Sequence, residues 1–256
     1  MRRGKVGFWM RVAVCVLKPL LFVFTKHEWR GRDNIPKSGG VIIAVNHISY
    51  ADPPITAHFV YDLPRLPRFL AKESLFRMPV VGWVVGGAGQ IPVYRGTVSA
   101  STSLRGAVAA INRGEAVVIY PEGTVTKDPD LWPMVGKTGA ARLALETGAP
   151  VVPVAQWGAQ RLYDRRTRKL RLRPRTPVQL EAGPPVDLSR WIGRPLSAPV
   201  LREATDEIMG RLRDLVAGLR GETPPETFFV QPPRRPDRRE RKKRLRTKSA
   251  PEEAAS

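Results

Sequence analysis

The 256-residue chain has one cysteine, Cys15, and three histidines, His27, His47 and His58. A single cysteine excludes an internal disulfide framework and a cysteine-based zinc site, and it fits a reducing compartment. Histidines this far apart make a His-rich metal site a poor reading. No metal and no cofactor is expected. No Gly-x-Ser-x-Gly elbow is present to supply a nucleophilic serine. Cys15 sits in an apolar N-terminal run, a poor place for a nucleophile. Internal repeats are missing too. Acidic residues are in deficit, with 23 Asp and Glu against 43 Lys and Arg, for a net charge of +20. That balance favours anionic partners: lipid, nucleic acid or phosphorylated substrates.

Much of the charge is local. Arg234 to Lys248 holds ten cations against Asp237 and Glu240. From Gly221 onward Pro, Arg and Lys dominate, and such a composition cannot bury a core. Residues 222–256 therefore read as a disordered basic tail. The core carries no recognisable nucleic-acid reader module, so nucleic acid is an unlikely partner. The chain pattern sets no oligomeric state.

At the other end, Val6 to Phe24 is almost wholly apolar. A secretory signal lacks its small-residue cleavage site here. A membrane span would place Arg11 and Lys18 near the bilayer centre, at about 2.5–3.5 kcal/mol each. Gly4, Arg11, Lys18 and Thr25 recur every seven residues and form one narrow, less apolar stripe on a helix. The pattern favours a membrane-associated amphipathic helix over residues 1–27, lying in the interface with its cations reaching the headgroups. A span and a soluble core helix are the alternatives. Pro19 is expected to kink the helix.

Between these ends, strands alternate with helices. Val41–Val45, Gln90–Tyr94, Ala116–Tyr120, Val151–Ala155 and Val178–Glu181 read as strands. Ile55–Val60, Ser99–Arg113, Lys137–Gly148 and part of Trp191–Arg220 read as helices. The alternation predicts an α/β layered domain over residues 28–221, with a mixed, largely parallel central sheet.

The first strand ends in Asn46-His47, and Asp52 follows before Pro53 and Pro54. Asp52-Pro53 reads as a helix start. A strand, a turn and a helix start bring the two side chains together where a continuous helix does not. An imidazole held by a carboxylate is what a general base requires, although such a pair also occurs as a purely structural bond. Downstream, Arg95-Gly96 ends a strand with a cation and an approachable backbone, suited to a phosphate. The strand Ala116–Tyr120 runs into Pro121-Glu122-Gly123-Thr124, where glycine permits close backbone approach. Arg95 also reads as an ordinary surface arginine, and Pro121–Thr124 as a plain turn.

Four stretches, in this order, resemble the 1-acyl-glycerol-3-phosphate acyltransferase family. Asn46, His47 and Asp52 resemble its Asn-His-x-x-x-x-Asp motif. Gly89, Ile91, Pro92, Val93, Arg95 and Gly96 are similar to its second motif. Tyr120 to Val125 resemble Phe-Pro-Glu-Gly-Thr-Arg, and Val152, Pro153 and Val154 its fourth, apolar motif. Tyr120 stands where Phe is common and Val125 where the family often has Arg. The resemblance implies acyl transfer from acyl-CoA or acyl-carrier protein to the free hydroxyl of a lysophospholipid acceptor. It implies neither metal nor covalent acyl-enzyme. His47 and Asp52 are then catalytic. Asn46, Lys72, Arg95, Gly96, Glu122, Gly123, Thr124 and Lys137 are then substrate-binding. The expected setting is the cytoplasmic face of the cell membrane, against anionic lipid.

Overall fold

The computed structural model describes residues 7–93 and 100–231. In chain order its main elements are α1 (Phe8–Phe24), β1 (Thr25–Arg30), β2 (Val41–Val45), α2 (Asp52–Tyr61), β3 (Pro67–Lys72), α3 (Val81–Gly87) and β4 (Ile91–Val93). Then follow α4 (Ala100–Asn112), β5 (Ala116–Ile119), α5 (Gly139–Thr147), β6 (Val151–Trp157), β7 (Tyr163–Asp164), β8 (Lys169–Leu170), β9 (Thr176–Ala182) and α6 (Ala198–Arg220).

Seven strands form one sheet in the order β1-β9-β6-β2-β5-β3-β4. All its pairings are parallel except β6 with β9. This is the α/β domain with a mixed, largely parallel sheet that the alternation predicts. The central strand β2 shows why its sequence is a continuous apolar run. Val41, Ile43 and Val45 face a core shared with Ile55, Phe59 and Val60 of α2. Ile42 and Ala44 face the opposite core, with Ala107 of α4, Leu143 of α5 and Ile208 of α6. A strand covered on both faces is apolar at every position, and each large side chain so buried contributes about 1.5–3 kcal/mol. Pro92 lies in β4, at the sheet edge, where a missing N–H costs no ladder bond. Gly148 closes α5 in the left-handed conformation.

The ends differ from expectation. The polar stretch Thr25–Arg30 is a strand, paired along its whole length with β9. The domain boundary expected after residue 27 therefore falls inside the sheet. This strand lies at the edge, which explains its polar sequence, and Trp29 packs on His27 and Phe59. Part of the stretch expected as tail from residue 222 is described, and Val135 N–H donates to the Phe229 carbonyl at 3.1 Å, so the chain docks on the domain at Phe229. The cationic stretch Arg234–Lys248 lies outside the described residues.

The first helix, α1, runs through Pro19. No helix among the described residues is long and apolar enough to cross a membrane. Two residues of the less apolar stripe contact the domain. Lys18 pairs with Asp62, at the end of α2, at 2.9 Å, and Thr25 is buried. Lys18 thus meets a carboxylate of the domain, and Phe8, Val16, Leu20, Phe22 and Val23 are left exposed.

Candidate active site

Parallel strands open their C-terminal ends onto one rim, the usual ligand side of such sheets. The chain leaving β2 carries Asn46 and His47 there, and the chain leaving β5 carries Tyr120 to Thr124. The five-residue spacing of His47 and Asp52 closes a small loop around a carboxylate. Ala51 is the N-cap of α2 and Asp52 its first residue, followed by the two prolines. The Asp52 side chain turns back upstream instead of capping the helix. Its Oδ2 accepts the N–H groups of Ile48 and Ser49 at 2.7 and 2.8 Å, and His47 Nδ1 lies 2.7 Å away. Complete burial pushes the Asp52 pKa up, opposed by the bonds from His47 and the two amides. Its other oxygen, Oδ1, has no hydrogen-bond partner among the described residues.

With Nδ1 committed to the carboxylate, Nε2 is the basic edge of His47. It carries no protein hydrogen bond among the described residues. The imidazole lies flat on Tyr120, with ring centroids 4.2 Å apart and 20° between planes. Tyr120 O–H donates to Thr56 Oγ1 at 3.3 Å, and Thr56 donates to Gln156 Oε1 at 3.2 Å. The histidine plane is thereby held between a carboxylate and a ring that is itself tied to α2 and β6.

Two residues expected to touch substrate are buried and bonded to main-chain groups. Asn46 is fully buried; its side chain and the Gln156 backbone exchange bonds of 3.1 and 2.8 Å, clamping β2 to β6. Glu122 is also buried. Its Oε1 accepts the backbone N–H of His47 at 2.8 Å, and its Oε2 accepts that of Met134 at 3.0 Å. Both oxygens accept main-chain N–H groups, so Glu122 braces the His47 loop. Burial pushes its pKa up to about 8, despite the two amides that favour the ionised form.

Gly123 and Lys137 do come together. Gly123 has φ +71°, and a Cβ there would meet Lys137 Cε and Nζ at 2.9 and 2.8 Å. Lys137 is exposed at the head of α5 and its N–H donates to the Pro121 carbonyl. Thr124 is half-buried in the same loop. Lys72, exposed, ends β3 opposite Val93 of β4. Arg95 and Gly96 lie outside the described residues. Val125 is buried. The residue beside it, Thr126, donates its N–H to the His47 carbonyl at 2.6 Å and accepts the guanidinium of Arg165 at 2.8 Å. Thr56, Gln156, Ser49 and Arg165 went unnoticed in the sequence. The first three carry little local signal, since the bonds Ser49 Oγ–Tyr163 and Thr56–Gln156 join residues 114 and 100 positions apart. Arg165 was hidden in a run of similar cations.

Comparison with known proteins follows this geometry. The Acyltransferase family profile matches residues 26–157. A chloroplastic 1-acyl-sn-glycerol-3-phosphate acyltransferase of Brassica napus is 31% identical over 144 residues, 56% of this chain and 40% of that protein. The 1-acyl-sn-glycerol-3-phosphate acyltransferase of Borreliella burgdorferi is 36% identical over 134 residues, 52% of each. The lyso-ornithine lipid O-acyltransferase of Pseudomonas aeruginosa is 29% identical over 153 residues, 60% of this chain and 54% of that protein. The match thus spans about half the length of these curated relatives. Among solved structures, the 1-acyl-sn-glycerophosphate acyltransferase PlsC of Thermotoga maritima superposes with a TM-score of 0.59 at 28% identity, covering 84% of both chains. The profile covers more than half of the chain, on the segment that carries both the His47 and the Glu122 loops, and the chain belongs to the Acyltransferase family.

Proposed function

We propose that the protein transfers a fatty acyl group from a thioester, acyl-CoA or acyl-carrier protein, to the free hydroxyl of 1-acyl-glycerol 3-phosphate, giving phosphatidic acid. The observation that carries this reading is His47 Nδ1 at 2.7 Å from the buried Asp52 carboxylate, with the other ring edge unpartnered among the described residues. Nε2 takes the hydroxyl proton as the acceptor oxygen attacks the thioester carbonyl. Asp52 stabilises the imidazolium that results. When the C–S bond breaks, the imidazolium returns the proton to the departing thiolate, so no charge or proton is left over. Direct attack suits a chain without an acyl-enzyme elbow, and positioning of the two substrates supplies much of the acceleration.

Lys72, Arg95, Gly96, Gly123, Thr124 and Lys137 are the proposed substrate contacts. Asn46 and Glu122 become positioning residues. The exposed apolar face of α1 supports a peripheral or monotopic placement on the cytoplasmic face of the membrane, where a lysophospholipid acceptor resides.

A second acceptor reading rests on Val125. Where the family often has an arginine, this chain has a buried apolar residue, which suits a headgroup with less negative charge. The similarity to a lyso-ornithine lipid O-acyltransferase supports the same direction. One assay tests both readings. The purified protein is given acyl-CoA or acyl-carrier protein with lysophosphatidic acid, glycerol 3-phosphate or lyso-ornithine lipid, beside a His47→Ala control. Turnover of lysophosphatidic acid that vanishes in the control is the expected result; no turnover of it overturns the first reading.

A further inference from the structure

The segment from Arg161 to Arg175 has no part in the chemistry above. It carries eight cations, Arg161, Arg165, Arg166, Arg168, Lys169, Arg171, Arg173 and Arg175, against Asp164 alone. It folds as the β7–β8 hairpin, with Tyr163 opposite Leu170. Residues 166 to 175 are all exposed. Two-residue strands are marginal by themselves, and closely spaced like charges repel one another, so this hairpin depends on its anchors.

Those anchors are specific. Ser49 Oγ, in the His47–Asp52 loop, donates to the Tyr163 carbonyl at 2.7 Å. Arg165 donates to the carbonyl of Thr126, whose N–H holds His47. At the far end, Arg175 N–H donates to the Val23 carbonyl at 3.0 Å, in the last turn of α1. Phe22 and Val23 of that turn are 69% and 51% exposed. Within the hairpin itself the order Lys169-Leu170-Arg171-Leu172-Arg173 alternates cation with leucine, and Leu170 and Leu172 are 61% and 53% exposed. Leucines left in water between arginines match a boundary whose outer layer is anionic and whose next layer is hydrocarbon. A nucleic-acid backbone uses the cations and leaves the leucines in water.

We propose that the Arg161–Arg175 hairpin is a bilayer-contact element: its cations bind anionic phospholipid headgroups, Leu170 and Leu172 enter below them, and its anchors set the His47 loop at that surface. The contact is continuous with the exposed end of α1 and is independent of which acceptor the enzyme uses.

The test uses the full chain, with its one cysteine replaced (Cys15→Ser) and an environment-sensitive dye attached at Leu172→Cys. Vesicles of phosphatidylglycerol with phosphatidylcholine are expected to shift the dye emission to the blue, less so at high salt, while phosphatidylcholine alone leaves it unchanged. In a second variant, Arg166, Arg168, Arg171 and Arg173 are each changed to Gln. Its partition onto anionic vesicles at low salt is expected to fall about tenfold or more, with binding to neutral vesicles and turnover of a soluble short-chain acceptor kept. An unshifted dye on anionic vesicles, or wild-type partition by the four-fold variant, overturns the proposal. So does a variant that keeps vesicle binding and loses only affinity for an acidic carrier protein or for nucleic acid, which assigns the surface to that partner. A wild-type chain that binds vesicles through the hairpin but fails to acylate lysophosphatidic acid overturns the proposed function and leaves this contact standing.

Discussion

Glu122 Oε1 accepts the backbone N–H of His47 at 2.8 Å, across 75 residues of sequence. The other oxygen accepts the N–H of Met134, so one buried carboxylate ties together the loop after β2, the turn after β5 and the approach to α5. His47, the proposed base, is therefore positioned through its main chain by Glu122 and through its side chain by Asp52.

Glu122 gives the first prediction. Its folded pKa is raised from 4.5 to about 8 by burial. The folded state then holds a proton that the unfolded state releases. Its contribution to stability is complete below pH 4.5 and is lost as pH rises through about 8. Glu122→Gln has no proton to lose, so its unfolding free energy falls less than the wild type's between about pH 5 and about pH 9. Its amide nitrogen also faces one of the two backbone N–H groups, and turnover drops about tenfold or more through the displaced loop. Chemical denaturation at the two pH values, with turnover measured in parallel, checks both.

Removing the base separates catalysis from folding. His47→Ala loses turnover by roughly three to four orders of magnitude, and Asp52→Asn by about two or more. The first variant keeps its midpoint of thermal unfolding within a few degrees. The second does not, because Asp52 Oδ2 also accepts the Ile48 and Ser49 amides. Wild-type turnover in purified His47→Ala would falsify the assignment.

Tyr120 offers a ring and a hydroxyl with different uses. Tyr120→Phe keeps the stack on His47 and loses the bond to Thr56, at a cost of about 1 kcal/mol in stability with turnover nearly unchanged. Tyr120→Ala removes the surface under the imidazole, costs about 3–5 kcal/mol and lowers turnover steeply. Denaturant midpoints and turnover numbers, compared across the pair, show whether the ring or the hydroxyl matters.

At Gly123 the backbone itself is the constraint. Gly123→Ala places a side chain at φ +71° and pushes against the end of Lys137, costing about 1–2 kcal/mol. The Michaelis constant for the acceptor rises with turnover little changed, because Lys137 moves and His47 does not. An unchanged acceptor constant takes Lys137 out of the acceptor site.

The exposed face of α1 is tested by charge. Leu20→Glu with Phe22→Glu leaves thermal stability intact, since both side chains are already exposed, and releases the protein from vesicles at any salt. Deleting residues 232–256 weakens binding only to anionic vesicles at low salt, and acyl transfer to a soluble short-chain acceptor survives. Co-sedimentation across a salt series distinguishes the two contributions.

Patterns confined to a few residues were legible in the chain. The apolar run Val41–Val45 announces a strand buried on both faces, Gly148 a helix end and Pro92 a sheet edge, since each follows from backbone geometry within one element. The spacing of His47 and Asp52 is of the same kind, because the turn that joins them is only a few residues long. Tertiary packing alone decided what Asn46 and Glu122 do. A buried amide or carboxylate bonds whatever donor the fold brings near, and here those donors are backbone groups 110 and 75 residues away. The polar stretch Thr25–Arg30 became a strand because β9 arrives beside it at the sheet edge, a contact no local pattern encodes. Lys18 likewise pairs with Asp62 because the end of α2 places that carboxylate within reach. Residue type sets which bonds a side chain is able to make, and the long-range approach of other segments sets which of them it makes.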